Sequence, residues 1–334
     1  MMYLGIVFFS LSINLLIIYL SKKYNIMIDC EQSGKPQRFH VSATPRVGGI
    51  GIMLASFFML NEPMGMWIIL SSLPIFLIGL FEDFSGMVSP KIRLVFMAIG
   101  AVIATFTLNV LITEISFVKL PYIISFLFTV FALVGVTNSI NIIDGLHGLA
   151  SGTAIIAFFA LSSVAFSLGD QELGVLILVS MFSVAGFFVC VYPWGKIFLG
   201  DGGAYYLGFL LAVFSTLLVN RNPDVSVWYP FAVLIFPVWE VVFSIFRRKF
   251  VRKQDALSPD RLHLHSLLYK RAKYANFVAS GILLLIYIGY QTVIINFYND
   301  TPMLLLFIIG FISIYYIFYL RLIRFEFKVI KAGL

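Results

Sequence analysis

Residues 173–220 read LGVLILVSMFSVAGFFVCVYPWGKIFLGDGGAYYLGFLLAVFSTLLVN, two apolar runs joined by a short polar turn. Only Lys196 and Asp201 carry charge in this stretch. Each run approaches the roughly 20 apolar residues that a bilayer-crossing helix needs. The same alternation runs through the chain and predicts eleven spans. They lie near 2–20, 46–60, 66–81, 93–112, 121–138, 152–168, 173–192, 204–220, 226–246, 276–297 and 302–320. The first run lacks a basic n-region and a small-residue cleavage site, and Lys22 and Lys23 follow it, so it is read as a retained span.

Composition agrees with the spans. The 334 residues are 60% hydrophobic and 12% charged, with 35 Phe and a mean hydropathy of +0.99. A soluble domain carries about 25% charged residues. Cys30 and Cys190 are too far apart in sequence for a metal motif or a disulfide framework. These features predict an all-α, polytopic integral membrane protein with one transmembrane domain over residues 1–334.

Orientation follows from the positive-inside rule. Of 23 Lys and Arg, all but Lys119 and Arg221 fall on the side holding loops 21–46, 82–92, 139–151, 193–203 and 247–275 and the tail after 320. That side is predicted to be cytosolic, with the N-terminus outside and the C-terminus inside. The net charge of +7 is then a topology signal. The basic residues lie in separate loops, which excludes a nucleic-acid surface.

The polar clusters share that side. Glu82 and Asp83 are adjacent carboxylates at the end of the third span, costly to ionise together and relieved by a divalent cation. Lys91 and Arg93 follow, placed to neutralise them or to hold phosphate. In NSINIIDGLHGLASG, residues 138–152, Asn138, Asn141, Asp144 and His147 recur every three residues. On a helix this makes a drifting polar stripe. In FLGDGGAYYLGF, residues 198–209, Asp201 sits in a glycine turn before the eighth span, where backbone N–H groups favour a phosphate. The loop 247–268 adds a basic run, Arg261, His263 and His265. His-x-His without further ligands is a poor zinc site and a better phosphate or sugar donor set. The segment 35–52 contributes Lys35, His40, Thr44, Pro45 and Arg46.

In order, HVSATPRVGG, FEDFSGMVSPKIR, NSINIIDGLHGLASG, FLGDGGAYYLGF and SPDRLHLHSLL resemble the motifs of the polyprenyl-phosphate N-acetylhexosamine-1-phosphate transferase family (glycosyltransferase family four). The SPDR-x-H-x-H form is similar to the O-antigen and common-antigen branch rather than the peptidoglycan translocase. The resemblance implies transfer of an amino-sugar-1-phosphate from a UDP-sugar to undecaprenyl phosphate at the cytosolic face of the cell inner membrane. UMP would leave, in the first membrane step of O-antigen, capsule or other envelope polysaccharide synthesis. It implies a Mg²⁺ cofactor, with Mn²⁺ as substitute, and allows a homodimer.

By the same resemblance Asp83, Glu82, Asp144 and Asp201 are catalytic, with Asp201 and Asp144 as metal ligands. Lys35, Thr44, Arg46, Lys91, Asn138, Asn141, His147, Arg261, His263 and His265 bind substrate. The chain departs from the pattern at Glu82, His147, Glu240 and Ser266, and His147 points to a different amino sugar. The alternative is a flippase or transporter of lipid-linked sugars, which calls for mid-bilayer charges and repeat symmetry. The spans carry little charge beyond Glu240, and no repeat is evident.

Overall fold

The computed structural model describes residues 1–26, 28–29, 44–116, 118–253, 262–272 and 275–331. It is almost wholly helical. In chain order the helices are α1 (Met2–Tyr24), α2 (Gly49–Ser56, continued by a 3-10 turn Phe57–Asn61), α3 (Gly65–Ser85), α4 (Pro90–Thr107), α5 (Tyr122–Ile143), α6 (Leu149–Ser167) and α7 (Gln171–Val191). They continue with α8 (Gly200–Arg221), α9 (Tyr229–Val233), α10 (Ile235–Phe246), α11 (Leu264–Ala272), α12 (Asn276–Ile294) and α13 (Thr301–Lys331). Two antiparallel pairs of two-residue strands, Ile28–Asp29 with Thr44–Pro45 and Glu114–Ile115 with Val118–Lys119, tie loops at opposite ends.

Nine helices among the described residues are long and apolar enough to cross a membrane. The chain is a polytopic membrane protein. The two other expected spans take modified forms. The 46–60 passage is the short apolar helix Gly49–Asn61. The 226–246 passage is broken at Leu234 into α9 and α10. Pro237 explains the break, since it has no N–H to give to the carbonyl of Val233. That carbonyl instead accepts from Gln291 Nε2 at 2.7 Å and from the Tyr287 hydroxyl, both on α12.

Helix α8 is the axis of the bundle. Every residue from Gly200 to Leu218 is buried. It packs against α3, α5, α2, α6 and α7. Glycines set how closely its first turn approaches its neighbours. A Cβ at Gly79 of α3 would lie 2.5 Å from the Cα of Gly202. Gly49 of α2 and Gly203 meet in the same way. Without a hydrophobic drive inside lipid, small-residue contacts are how helix backbones come together. At the far end of α8, Arg221 donates from Nε and Nη2 to both oxygens of Asp170, each at 2.8 Å, joining α8 to the start of α7. The guanidinium holds the Asp170 carboxyl below its usual range.

Gly79→Ala should lower the thermal unfolding midpoint in detergent, by overpacking worth about 1–3 kcal/mol. Tyr287→Phe combined with Gln291→Leu should cost a similar amount, since a buried carbonyl left without a donor costs roughly 1–3 kcal/mol. Gly135→Ala, where nothing lies within 4 Å of the added Cβ, is the control and should leave the midpoint near the wild-type value.

Candidate active site

Helical passages of alternating direction bring the C-terminal ends of α3 and α5 and the N-terminal ends of α4 and α8 to one end of the bundle. The loop carrying Arg46 is stitched to the same place by backbone bonds. Phe198 N–H donates to the Pro45 carbonyl at 2.8 Å. Gly48 and Gly49 donate to the carbonyls of Phe198 and Leu199 at 2.9 and 3.0 Å.

Asp201 lies in the first turn of α8, inside the helix rather than in a turn before it. Arg46 Nη2 donates to its Oδ1 at 3.0 Å and Arg93 Nη1 to its Oδ2 at 2.7 Å. Tyr205, one helical turn on, donates its hydroxyl to Oδ2 at 3.3 Å. The same hydroxyl accepts from Arg93 Nη1 at 2.9 Å and from Asn141 Nδ2 at 3.2 Å. Arg93 Nε is buried and has no hydrogen-bond partner among the described residues.

Glu82 and Asp83 do not act as a pair. Asp83 turns inward, its side chain 1% exposed, and accepts from the backbone N–H groups of Asp201 at 2.8 Å and Gly202 at 3.0 Å. It is thus the side-chain cap of α8, and it fills the anion position that the glycine turn offered to a phosphate. Arg46 Nε lies 3.9 Å away. Glu82 faces the other way and accepts from Val88 N–H at 2.8 Å, closing the turn into α4.

The stripe from Asn138 to His147 is also interrupted. Helix α5 stops at Ile143, so Asn138 and Asn141 are helical, Asp144 is the cap residue and His147 lies in the following turn. Burial pushes the Asp144 carboxyl up to about 7, with Arg46 pulling it down and Asp201 pushing it up. His147 joins other loops. Its backbone N–H donates to Asn276 Oδ1 at 2.6 Å, and its Nδ1 lies 3.1 Å from the carbonyl of Pro193. A carbonyl only accepts, so Nδ1 carries the hydrogen. Burial lowers the His147 pKa, opposed by that bond.

The histidines of the last loop are anchored by Glu240. Its Oε1 lies 3.1 Å from His263 Nδ1 and accepts from Leu264 N–H at 2.9 Å, while Oε2 accepts from the Tyr315 hydroxyl at 2.7 Å. His263 stacks on His265, with 5.5 Å between ring centroids. His265 reaches the α5 turn, where a Cβ at Gly145 would come within 2.6 Å of its Nε2. Its Nδ1 is buried and has no partner among the described residues, and burial pushes its pKa down to about 4.

Thr44 is buried in its strand. Lys91 is exposed on the first turn of α4, and no contact among the described residues joins it to the cluster; its neighbour Arg93 reaches Asp201 instead. Lys35, His40 and Arg261 lie outside the described residues. Tyr205 and Asn276 went unmarked in the sequence. Tyr205 was findable, four residues after Asp201 in a helix; Asn276 was not, because a fold contact over 129 residues joins it to His147.

Three carboxylates and two guanidiniums, set in an apolar helical shell, form a charged cluster at one end of this integral membrane protein and make it the candidate site for handling charged groups. The comparisons place it further. The model for glycosyl transferase family 4 matches residues 66–219, which run from α3 to α8. A probable undecaprenyl-phosphate N-acetylglucosaminyl 1-phosphate transferase of Bacillus subtilis (strain 168) is 29% identical over 78% of this chain and 75% of its own. An undecaprenyl-phosphate alpha-N-acetylglucosaminyl 1-phosphate transferase of Thermotoga maritima is 31% identical over 70% of this chain and 71% of its own. A phospho-N-acetylmuramoyl-pentapeptide-transferase of Staphylococcus carnosus is 33% identical, but over only 41% of this chain and 42% of its own. The chain belongs to glycosyl transferase family 4, and of these three relatives the two N-acetylglucosaminyl 1-phosphate transferases share more of its length. It is a glycosyl-1-phosphate transferase.

The raised Asp144 pKa predicts an acid limb in activity. Below about 7 the carboxyl is protonated and no longer anionic. kcat/KM for lipid-linked product should therefore fall as pH is lowered through that value. A flat profile between pH 6 and 8 would count against a role for the ionised form.

Proposed function

We propose that this chain transfers an N-acetylhexosamine-1-phosphate, or a related amino-sugar-1-phosphate, from a UDP-sugar to undecaprenyl phosphate. The observation that carries this reading is the junction at the start of α8, where Asp201, Asp83, Arg46, Arg93, Tyr205 and Asn141 are joined by direct contacts. Asp144 lies close enough for its charge to act with those of Arg46 and Asp201. The distribution of Lys and Arg favours a cytosolic location for this end. The chemistry of envelope polysaccharide initiation, O-antigen or capsule among them, is consistent with that location.

The donor residues suit a divalent cation. Among the described residues no three His, Cys, Asp or Glu side chains cluster to hold a metal by themselves. Mg²⁺ does not need that, since it takes one or two carboxylates and completes its shell with water and substrate phosphate. Asp201 and Asp144 are the carboxylates that would hold it. When bound, Mg²⁺ would neutralise the diphosphate and the departing UMP.

Arg46 and Arg93 supply guanidinium donors to the diphosphate. Asn138, Asn141 and Thr44 are assigned to substrate binding, and His263 and His265, held through Glu240, offer donors to sugar or phosphate. A lipid phosphate oxygen attacks the sugar-bearing phosphorus; the bond to the UMP oxygen breaks and UMP leaves with its electrons. A phosphate monoester has a second pKa near 6 and is largely dianionic at neutral pH, so no strong base is needed. Asp83, already accepting two amide hydrogens, serves by holding the start of α8 in place.

The test is turnover by the purified protein with Mg²⁺, undecaprenyl phosphate and a panel of UDP-amino sugars, read as lipid-linked sugar and released UMP. Asp201→Asn should lower kcat by ~10²-fold or more, because a metal site supplies several kcal/mol. Full turnover by that variant, or with all divalent cation chelated, would overturn the reading.

A further inference from the structure

Two side chains at the end of α10 hold three consecutive residues of the histidine loop. Arg247 Nη1 donates to the Leu262 carbonyl at 2.8 Å. Glu240 Oε1 lies 3.1 Å from His263 Nδ1 and accepts from the N–H of Leu264, where α11 begins, at 2.9 Å. Each of the two is met in turn by a tyrosine of α13. The Tyr315 hydroxyl donates to Glu240 Oε2 at 2.7 Å, and Arg247 Nη1 also donates to the Tyr319 hydroxyl at 2.8 Å. Helical spacing allows both rungs. Glu240 and Arg247 are two turns apart, Tyr315 and Tyr319 one turn apart, so each pair shares a face. Phe243 sits between the rungs and meets both tyrosine rings edge-on, its centroid 5.5 Å from Tyr315 and 4.7 Å from Tyr319.

The upper rung decides more than the place of the loop. Glu240 is 1% exposed, and its three bonds satisfy a carboxylate whose charge would otherwise be costly to bury. A carboxylate only accepts, so His263 Nδ1 carries the hydrogen. A hydrogen bond at one imidazole nitrogen fixes the role of the other. No hydrogen bond among the described residues engages His263 Nε2.

We infer that Glu240, Arg247, Tyr315 and Tyr319 are positioning residues for the transfer reaction: they clamp the histidine loop so that His263 keeps its hydrogen on Nδ1 and meets the substrate through Nε2. The inference rests on the reading of His263 as a substrate-binding residue. It makes α13 part of the working site, although α13 lies outside residues 66–219 that match the family model. A loop histidine held this way is oriented before substrate arrives, and little rotamer freedom remains to be lost on binding.

The experiment uses the full chain in detergent with ¹⁵N in the imidazole rings of its four histidines. The His263 signals are assigned by their absence in His263→Gln. Wild type should show hydrogen on His263 Nδ1. Glu240→Leu should lose that signature, and kcat/KM for the UDP-sugar should fall about 10- to 100-fold, the usual loss when a functional side chain loses the partner that orients it. Glu240→Gln keeps an acceptor oxygen of the same reach and should restore the signature and most of the lost kcat/KM. Tyr315→Phe and Tyr319→Phe keep the ring packing against Phe243 and should lower kcat/KM in the same direction, by a smaller factor. These two carry the test where Glu240→Leu does not fold. Tyr315→Phe should add little to Glu240→Leu, because it acts through that carboxylate. A merely structural role would lower the unfolding midpoint and leave the ring signature and the kinetics of the folded protein unchanged. Hydrogen on Nε2 alone in wild type, or full kcat/KM in folded Glu240→Leu or in both tyrosine variants, would overturn the clamp. An Nδ1–H signature that depends on Glu240, in a protein that turns over no UDP-sugar, would sustain the clamp and sink the proposed reaction.

Discussion

The carboxylate of Asp83 sits on the first backbone N–H groups of α8, and the arrangement of the site depends on that contact. A helix start leaves donors without intrahelical partners, and inside a membrane protein no bulk water supplies acceptors. Asp83 answers both Asp201 and Gly202 from the end of α3. The bond works because the two backbones touch. Gly79 and Gly202 leave no room for a Cβ between α3 and α8. Gly49 and Gly203 bring α2 in on another side, and with it the loop that carries Arg46. One turn of helix is thereby held by α2 and α3 and by the strand-like stitching of residues 45–49 to 198–199. Asp201 inherits its position from all of them.

Charge balance follows from that geometry. Asp83, Asp144 and Asp201 converge in an apolar shell, a costly arrangement for anions. Arg46 and Arg93 offset it, and Tyr205 and Asn141 complete the bonds on the side facing α5. Asp144, at the C-terminal cap of α5, carries a carboxyl pushed up to about 7 by burial. The second tier is held separately: Glu240 and Tyr315 fix His263, which stacks on His265 against Gly145.

Much of this was legible from residue order. Apolar runs and the lopsided placement of Lys and Arg marked a polytopic membrane protein with its polar chemistry at one end. Nine of the runs are single long helices. The motif order pointed to the family that the comparisons then established. Reading stopped where neighbours in sequence part in space. Glu82 and Asp83 look like a pair but serve different partners. Lys91 looks equivalent to Arg93, yet on a helix residues two apart do not share a face, and only Arg93 meets Asp201. The three-residue spacing of the Asn-rich motif suggested one stripe, but the helix ends before Asp144 and sends His147 towards Pro193 and Asn276.

The sequence by itself therefore determined the solvent, the class of element and the end of the molecule where charge collects. These follow from composition and period, which are local properties. Tertiary structure alone decided which oxygen meets which donor. Arg46 and Asp201 are 155 residues apart, Arg93 and Asp201 108, and Glu240 and Tyr315 75. Such pairings are selected by helix packing, where a missing Cβ or an uncapped amide outweighs any local preference, and no spacing within a motif encodes them.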